Sequence, residues 1–530
     1  MSRTIAKKEK QMTAPPGADA SFTQIKDWNA IDWMGVQQQV RRLQMRIAKA
    51  VKDGKHRRAL ALQWLLTHSC TARLLAVRRV TTNKGAKTPG VDKVIWRTDR
   101  QKLQATDNLK RHGYRPKPLR RIYIPKKNGK LRPLSIPTMH DRAMQALHAL
   151  ALAPVAETWA DPHSYGFREG RCCADALEHA HIVLSRKHSP QWVLEGDIKA
   201  CFDEISHEWL LQNVLMDKQA LRKWLKAGYW EKAHLSPTRQ GTPQGGVISP
   251  ILANIALDGM QKTITQTVSK KGDKVNFVRY ADDFIVTGAT KELLEQKVKP
   301  ALTDFLTQRG LELSEQKTVI THISTGFNFL GHTVRKFGDK LLTFPAKSNV
   351  KVLRAKISLC IQSAVGLTPE ALLLKLNPLI RGWANYYRHG ASQRTFNRLD
   401  YHVFWQLVRW AKRRHPNKSA RWKQRKYFAA ADKPGIFSVR LTKGQRRGQL
   451  LKLYTAASTP IQRHIKIRGA ANPYDPDYTQ YFEQRRHGWH ARAAQGLASR
   501  PSLVPVTRIV KHWLHHAAAC PYHRAPVGEA

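Results

Sequence analysis

Three aspartates occupy positions from which they can bind divalent cations together. Asp282 and Asp283 are adjacent and lie between two short apolar segments, residues 275–278 and 284–287, which the pattern predicts to be buried strands joined by a tight turn. Asp197 ends an earlier apolar segment. Two carboxylates on a hairpin that face a third on a neighbouring strand can hold a pair of divalent ions about 4 Å apart for phosphoryl transfer. Because oxygen ligands of this kind suit Mg2+, we predict a site for two Mg2+ ions.

The charge of the whole chain supports this interpretation. A pair of aspartates in a turn is common by itself, since Asp tolerates turn geometry. This chain of 530 residues, however, has 91 Lys and Arg against 38 Asp and Glu, a net charge of +53. Such a surplus, spread along the whole length, indicates an extended nucleic-acid partner. Buried acids in so basic a chain need a balancing charge, and metal ions supply one.

The cysteines and the apolar segments indicate the cellular compartment in which the protein is expected. Six cysteines show no framework spacing, which predicts a reducing environment. Residues 1–22 lack the apolar core of a signal peptide, and the longest apolar stretch, 146–156, is too short to span a bilayer. We therefore expect a cytoplasmic protein with no membrane partner.

The elements that must position the aspartates are both strands and helices. The patterns predict a few antiparallel strands packed on helices, an α+β layer, followed after about residue 345 by an α-helical domain. Strands are expected at 120–136 (a hairpin), 193–198, on both sides of the aspartate turn, around 319, and at 327–334; helices are expected at 58–80, 139–158, 206–228, 249–266 and 291–309.

Several other residues could contact a nucleotide at such a site. Phe202, shortly after Asp197, could stack under a sugar and exclude a 2′-hydroxyl, or could be a core phenylalanine. Lys130 and Arg132 share one face of a strand and could hold a triphosphate, or could line a solvated hairpin. Lys317 could protonate the departing pyrophosphate, although its residue type alone fits a surface lysine.

A glycine loop and a mixed aromatic and basic helix complete the candidates. The loop 243–246, which contains Gln244, allows backbone to approach a ligand, or simply leads into a helix. Aromatic residues interleaved with arginine suit an RNA surface, although many aromatics must be core. The candidates for RNA binding are Arg381, Trp383, Tyr386, Tyr387, Arg388, Arg409, Arg413 and Arg414.

The tail contains a loose cluster that could bind zinc. One cysteine and irregular spacing favour a tail without metal. The cluster is His512, His515, His516, Cys520 and His523.

The motifs and their order along the chain resemble those of bacterial group II intron-encoded reverse transcriptase/maturases, from about residue 28 to residue 485. Each block is weak alone, whereas the ordered set is specific. The matching blocks lie at 83–92, 124–137, 165–168, 196–199, 243–246, 280–283, 311–318, 329–332, 376–387 and 467–476.

The resemblance implies a right-hand polymerase that makes DNA on an RNA template and assists splicing of its intron. It implies Asp197, Asp282 and Asp283 as catalytic metal ligands. The remaining implied roles are Phe202 as sugar gate, Lys130 and Arg132 as triphosphate contacts, Gln244 and Tyr280 as lining of the nucleotide and template site, and Phe329, Leu330, Gly331 and His332 as primer grip. The implied partners are group II intron RNA, target DNA and deoxynucleoside triphosphates, and a homodimer is compatible with the sequence.

The expected domains follow the same order. They are a disordered basic tail (1–30), an N-terminal helical extension (31–95), fingers and palm (96–340), a helical thumb or maturase domain (341–435), a basic DNA-binding region (436–485) and a degenerate tail (486–530).

The tail departs from many relatives, which end in an endonuclease with two cysteine pairs. Only Cys520 follows Arg485, so we predict no competent endonuclease. Two other functions stay open at this point: an RNA-binding splicing cofactor without polymerase activity, and a reverse transcriptase recruited to host defence.

Overall fold

The computed structural model describes residues 27–125, 129, 131–232, 234–268, 271–429, 435–441 and 448–498. Most of the expected disordered tail, the side chain of Lys130 and the histidine-rich tail lie outside these residues. None of the helices in the described part of the chain has the length and apolar character needed to cross a bilayer.

The first half of the chain contains the N-terminal helices and most of the fingers. Its elements are α1 (Trp33–Lys52), α2 (His56–His68), α3 (Cys70–Thr81), a 3-10 turn (Lys84–Lys87), α4 (Asp99–Asn108), β1 (Leu119–Pro125), β2 (Leu131–Ile136), α5 (Met139–Trp159), α6 (Cys173–Leu184), β3 (Trp192–Asp197), α7 (Cys201–Glu204), α8 (His207–Asn213), α9 (Lys218–Leu225), β4 (Tyr229–Glu231) and β5 (His234–Ser236).

The second half completes the palm and adds the thumb. Its elements are α10 (Ser249–Leu257), α11 (Met260–Thr267), a 3-10 turn (Lys271–Asp273), β6 (Asn276–Tyr280), β7 (Asp283–Gly288), α12 (Lys291–Leu293), a π turn (Leu294–Val298), α13 (Lys299–Thr307), β8 (Val319–His322), β9 (Phe327–Phe329), β10 (His332–Phe337), β11 (Lys340–Pro345), α14 (Lys347–Gln362), α15 (Pro369–Tyr387), α16 (Gln393–Arg414), α17 (Ala420–Phe428), β12 (Ser438–Arg440), β13 (Leu450–Lys452), 3-10 turns (Ala456–Ser458 and Pro476–Tyr478) and α18 (Thr479–Ala498).

The N-terminal helices share one core with the palm helices. Val36, Val40, Ile47 and Val51 recur at helical spacing on α1 and are all buried. They join a cluster with the apolar residues of α3, α5 and α10. The expected N-terminal extension therefore packs in the same hydrophobic core as α5 and α10.

The palm sheet has the order β6-β7-β3-β8, with every neighbouring pair antiparallel. Its two faces alternate along each strand. One face, with Leu194 and Phe284, packs on the helices of the main core, and the other, with Val193 and Ile285, packs in a second cluster. The acids lie at the end of this second face, because Asp197 is four residues after Val193.

A second sheet belongs to the fingers and a third leads into the thumb. The fingers sheet has the order β2-β1-β4-β5, and its hairpin β1–β2 agrees with the expected hairpin. The third sheet has the order β11-β10-β9. Helices α14 to α17 then form a separate thumb core, to which the short pair β12–β13 is attached.

Three expected helices are wrong as single elements, and the one expected at 206–228 is divided into α8 and α9. The helix expected at 249–266 is interrupted, since Asp258 ends α10 and Gly259 adopts a φ of 104° before α11 begins. The helix expected at 58–80 is divided at Ser69, whose hydroxyl accepts a hydrogen bond from the backbone of Ala72 and caps α3.

Residues 463–485, here called the C-terminal strap, cross the palm instead of extending the thumb. Ile467 and Ala471 are fully buried in the second palm cluster. Arg171 Nη2 donates to the carbonyls of Gly469 and Ala471 at 2.9 and 3.1 Å, and the Tyr474 hydroxyl donates to a Glu169 oxygen at 2.9 Å.

The strap is anchored at the fully buried carboxylate of Asp175. One oxygen of Asp175 accepts from the Ile467 backbone at 2.8 Å and from Arg485 at 2.7 Å, and lies 2.9 Å from His464 Nε2. Burial opposes the charge of Asp175, but the His464 hydrogen bond and the Arg485 charge lower its pKa below the ordinary value. Cys172, Asp175 and His464 have the residue types of a metal site, but the Arg485 guanidinium already supplies the cation there.

The strap overlaps the expected DNA-binding region at 436–485, part of which packs on the palm. Its buried residues are used in packing, so they are not available to DNA in this structure. Arg463 and Arg468 remain exposed, and DNA contact through such residues stays a prediction.

Candidate active site

The three aspartates converge as expected. Asp197, the last residue of β3, lies directly opposite Asp283, the first residue of β7. Opposite residues in an antiparallel pair project from the same face with Cβ atoms about 5 Å apart. Asp282 lies in the turn that joins β6 to β7, and Tyr280 is paired with Asp283 on the other side. The expected hairpin is therefore confirmed, except that Asp283 already belongs to the strand.

The carboxylates are held where their charges are costly without a cation. Burial, then the negative charges of Asp282 and Asp197, raise the pKa of Asp283 to about 7. Burial and the charge of Asp197 also raise the pKa of Asp282. Buried carboxylates whose pKa values rise through mutual repulsion are typical of sites that need a counter-charge. The donor set consists of carboxylate oxygens, so it fits hard divalent ions such as Mg2+.

Lys317 lies against this site from the loop before β8. Its ammonium Nζ donates to Asp197 Oδ2 at 2.6 Å, although the lysine side chain is 66% exposed. Its positive charge acts against the rise in the pKa values of Asp282 and Asp283. The expected position beside the acids is thus found, and proton donation to pyrophosphate stays a prediction.

Phe202 lies beside the aspartate turn. Its half-buried ring meets that of Phe167 edge to face, with the centroids 6.1 Å apart. The two rings, together with Asn254 and Asp282, line one narrow crevice. An aromatic ring that shares a crevice with Asp282 can exclude substituents on a sugar bound there.

The glycine loop and Arg132 approach the acids from the fingers. The carbonyl of Gln244 accepts a hydrogen bond from the Ser135 backbone at 2.8 Å, and its side-chain Nε2 donates to Asp203 Oδ2 at 2.7 Å. Arg132 lies on exposed β2, and its charge acts to lower the pKa of Asp282. The fingers strand therefore presents a cation toward the metal ligands.

The aspartate turn is supported by Arg279, which the sequence reasoning missed. Ala281 adopts a φ of 58°, a left-handed conformation that is unfavourable for alanine. Fully buried Arg279 donates through Nη1 to the Ala281 carbonyl and to Asn254 Oδ1, each at 3.3 Å, and through Nη2 to Asp258. The sequence does contain a signal for it, because a charged residue within the otherwise apolar strand 277–280 indicates a buried ion pair.

This support is a buried ion pair. Burial raises the pKa of Asp258 to about 6 even though the Arg279 charge acts to lower it. Asn254 Nδ2 in turn donates to the Gly166 carbonyl at 2.8 Å. The turn that carries Asp282 therefore rests on charged groups that belong to the palm itself.

The expected primer-grip residues form a turn between β9 and β10. Leu330 and Gly331 both have positive φ values, 47° and 76°. Phe329, Leu330 and His332 are all buried. Because these side chains face inward, we expect any contact of this turn with a primer to use its backbone.

The expected RNA-binding set is divided by the structure. Tyr387 is only 2% exposed, and the hydroxyls of Tyr386 and Tyr387 donate to the Leu330 and Gly331 carbonyls. Trp383 packs against Tyr387 with ring centroids 4.5 Å apart. These aromatics join the thumb to the palm, so assigning Tyr387 to RNA contact is corrected.

The arginines of the set also differ among themselves. Arg414 donates to the carbonyls of Val365 and Leu367 at 2.7 and 2.8 Å, and so secures the loop before α15. Arg388 is half-buried. Arg381, Arg409 and Arg413 are exposed and stay candidates for RNA contact.

Comparison with known families accounts for most of the chain. Residues 124–334 match the reverse transcriptase (RNA-dependent DNA polymerase) family, residues 28–109 match the N-terminal domain of reverse transcriptase, and residues 350–428 match the group II intron maturase-specific domain. These domains, with the acid site on the palm sheet, define an RNA-directed DNA polymerase with a right-hand fold and a maturase domain.

Individual relatives agree with this class. Protein YkfC of Escherichia coli is 34% identical over 305 residues, 48% of this chain and 78% of that protein. The group II intron-encoded protein LtrA of Lactococcus lactis is 30% identical over 354 residues, 54% of this chain and 59% of LtrA. The chain belongs to the family of group II intron reverse transcriptase/maturases.

A solved structure of telomerase from Candida albicans, in complex with a fragment of telomeric RNA, aligns over 56% of this chain with a TM-score of 0.32 and 13% identity. This similarity is too low to add to the assignment.

Proposed function

We propose that this protein copies RNA into DNA with two Mg2+ ions held by Asp197, Asp282 and Asp283. It would also bind the RNA of its host intron, promote its splicing, and insert it into DNA by target-primed reverse transcription. The observation that carries the polymerase proposal is the register that sets Asp197 opposite Asp283, with Asp282 in the adjoining turn.

Each neighbouring residue has a role in this reaction. The bound ions would supply Lewis-acid stabilisation of the attacking and leaving oxygens. Phe202 would exclude a 2′-hydroxyl from the incoming deoxynucleoside triphosphate, and Arg132 would pair with its triphosphate. Lys317 would donate a proton to the pyrophosphate, since its ammonium group already lies at a carboxylate of the site.

A primer-extension assay on an RNA template tests the polymerase proposal. We expect Asp282→Ala or Asp283→Ala to lower the rate of DNA synthesis by at least about a hundredfold. Each variant lacks a carboxylate that would hold the ions, and the ions would stabilise the charge that develops in the transition state. Asp304→Ala removes an exposed aspartate of α13 and serves as the matched control with parental activity. Equal synthesis by Asp283→Ala and the parent protein would refute the metal assignment.

The thumb offers a matched pair for intron RNA binding. Arg413 is exposed at the end of α16, whereas the neighbouring Arg414 is bonded to backbone carbonyls. We expect Arg413→Ala to weaken RNA binding, to reduce its salt dependence by about one ion, and to leave thermal stability unchanged. Arg414→Ala should instead lower stability. If Arg413→Ala bound RNA as tightly as the parent at every salt concentration, this surface would not be the RNA site.

The maturase-specific domain favours intron splicing over recruitment to host defence. Exposed Arg463 and Arg468 of the C-terminal strap are the candidates for target DNA contact, because they lie on its outer side while Ile467 between them is buried.

A further inference from the structure

The turn at Leu330–Gly331 adopts a conformation that needs external support. Two successive residues have positive φ values, and the first of them is a leucine, for which this region is unfavourable. Glycine at the second position accepts the conformation without strain. Both carbonyl groups of the turn are used as hydrogen-bond acceptors, so neighbouring groups determine where the turn lies.

The thumb supplies most of these donors. The Tyr386 hydroxyl donates to the Leu330 carbonyl at 2.8 Å, and the Tyr387 hydroxyl donates to the Gly331 carbonyl at 3.1 Å. Asn349, at the start of α14, donates through Nδ2 to the same Gly331 carbonyl at 3.2 Å and lies 3.1 Å from the Tyr387 hydroxyl. Adjacent residues at the end of α15 thus hold two adjacent carbonyls of one palm turn.

The other side of the turn is tied to the strand of the metal ligands. The backbone N–H of Asn328, just before the turn, donates to Glu195 Oε2 at 3.3 Å. Glu195 lies two residues before Asp197 on β3, so both side chains project from the same face. The turn is therefore held between the strand that ends in Asp197 and the last helical turn of α15.

We propose that the hydroxyls of Tyr386 and Tyr387 are positioning groups, which hold the Leu330–Gly331 turn, and through it the primer 3′ end, at a fixed place relative to the catalytic aspartates. This inference rests on the proposed polymerase function and on the assignment of residues 329–332 to primer contact. It makes the end of the maturase helix part of the polymerase site.

The hydroxyl groups, as distinct from the aromatic rings, carry this role. The rings of Tyr386 and Tyr387 pack against His332, with centroids 5.3 and 4.6 Å from its ring. Phenylalanine at either position would retain this packing and remove only the donor. The Leu330 carbonyl would then keep only its contact with His332 Nδ1, and the Gly331 carbonyl would keep the Ala346 backbone N–H and the Asn349 amide. The turn would lose the two donors that tie it to the end of α15.

Conservative substitution tests the proposal in the full-length protein. The variants are Tyr386→Phe, Tyr387→Phe and the double variant, measured by rapid-quench primer extension on an RNA template at saturating deoxynucleotide. We expect the double variant to incorporate the first nucleotide about tenfold more slowly, since two donors to the turn are lost. The KM for the deoxynucleotide should stay within about twofold of the parent, because the nucleotide contacts are intact.

The burst amplitude separates positioning from simple destabilisation. A merely structural role would lower the amplitude, which counts active molecules, and would leave the rate constant of the remaining molecules unchanged. That result, or a rate constant equal to the parent's at full amplitude, would overturn the proposal. Tyr427→Phe is the matched control, because it removes a thumb hydroxyl that contacts His415 instead of the palm.

Two further measurements keep the test decisive. If the double variant does not fold, the single variants and Asn349→Ala each remove one donor and should show smaller losses of the same rate constant. If the parent protein makes no DNA, the proposed function has failed. An active parent with an equally fast, fully active double variant rejects only the positioning role.

Discussion

Two turns of the palm sheets are held in left-handed backbone conformations by different chemistry. The turn at Ala281, which carries Asp282, is supported by the buried guanidinium of Arg279 and its partners Asn254 and Asp258. The turn at Leu330–Gly331 is supported by neutral hydroxyl and amide groups, most of them from the thumb. One support lies inside the palm, and the other crosses between two hydrophobic cores.

The two kinds of support suggest that the aspartate turn is held within the palm, whereas the Leu330–Gly331 turn depends on the position of the thumb. The turn of the proposed metal ligand Asp282 is supported by charged groups of the palm, so we expect its position to depend little on the thumb. Neutral hydrogen bonds across a domain boundary are weaker, at about 0.5–1.5 kcal/mol each, and they transmit a thumb displacement to the turn they hold. If the Leu330–Gly331 turn contacts the primer as proposed, primer placement depends on the thumb more than metal binding does.

The largest change in stability is expected when the buried charge of Arg279 is removed from the palm. Arg279→Met leaves Asp258 buried without its cation, so we expect the free energy of unfolding to fall by about 3–5 kcal/mol. Urea denaturation measures this loss. The double variant Arg279→Met/Asp258→Leu should recover most of the stability while DNA synthesis stays low, because the Ala281 carbonyl still has no donor. Full recovery of synthesis in the double variant would show that Arg279 serves stability alone.

Hydrogen exchange tests whether the two turns have separate supports, with variants that are expected to destabilise the fold less. In the double variant Tyr386→Phe/Tyr387→Phe, we expect faster amide exchange at residues 330–332 and unchanged exchange at 281–283. Arg279→Lys should give the opposite pattern, since lysine lacks the second donor that links Ala281 to Asp258. Mass spectrometry of deuterated peptides from the two turns provides the measurement. Equal changes at both turns in either variant would contradict separate supports.

A third effect concerns the charge of the proposed metal ligands themselves. The Asp283 pKa is raised to about 7 in the folded chain from an ordinary value of 3.8, so the ionised carboxylate opposes folding above pH 7. We expect Asp283→Asn to stabilise the metal-free protein at pH 8 by about 1–4 kcal/mol, the upper figure being what a shift of about three pKa units is worth without relaxation of the site. The gain should shrink as the pH falls from about 7 towards 3.8, because the parent side chain becomes protonated.

Thermal melting in the presence of a chelator, at pH 8 and at pH 5.5, measures that gain. Added Mg2+ should reduce it at pH 8 by stabilising the parent protein alone. A gain independent of both pH and Mg2+ would mean that the carboxylate is not strained in the folded state.

The convergence of the aspartates could be predicted from the sequence because it depends on the alternation of residues within short strands. Strands alternate their faces with a period of two, so Asp197 and Asp283 meet on one face once their strands pair. The order of the motifs then supplied the family. The division of the expected helix at 249–266 was missed because its apolar pattern continues through Asp258, whose role as a partner of Arg279 is not local.

The supports of both turns were harder to predict for the same reason. Arg279 is distant in sequence from Asp258, and Tyr386 from Leu330, and no periodicity within one segment relates either pair. Tyr386 and Tyr387 stand among basic residues, a composition that suits an RNA surface equally well. Only the packing of α15 against the third sheet shows that their hydroxyls are already engaged.

The C-terminal strap has a consequence for how the chain is made. Part of the apolar palm face with Tyr165, Val193 and Val278 is covered by Ile467, which leaves the ribosome only after the fingers, palm and thumb have been synthesised. Until then the nascent chain exposes this apolar face to solvent, and exposed apolar surface promotes aggregation and chaperone binding. This palm face is thus completed only after the thumb has been synthesised.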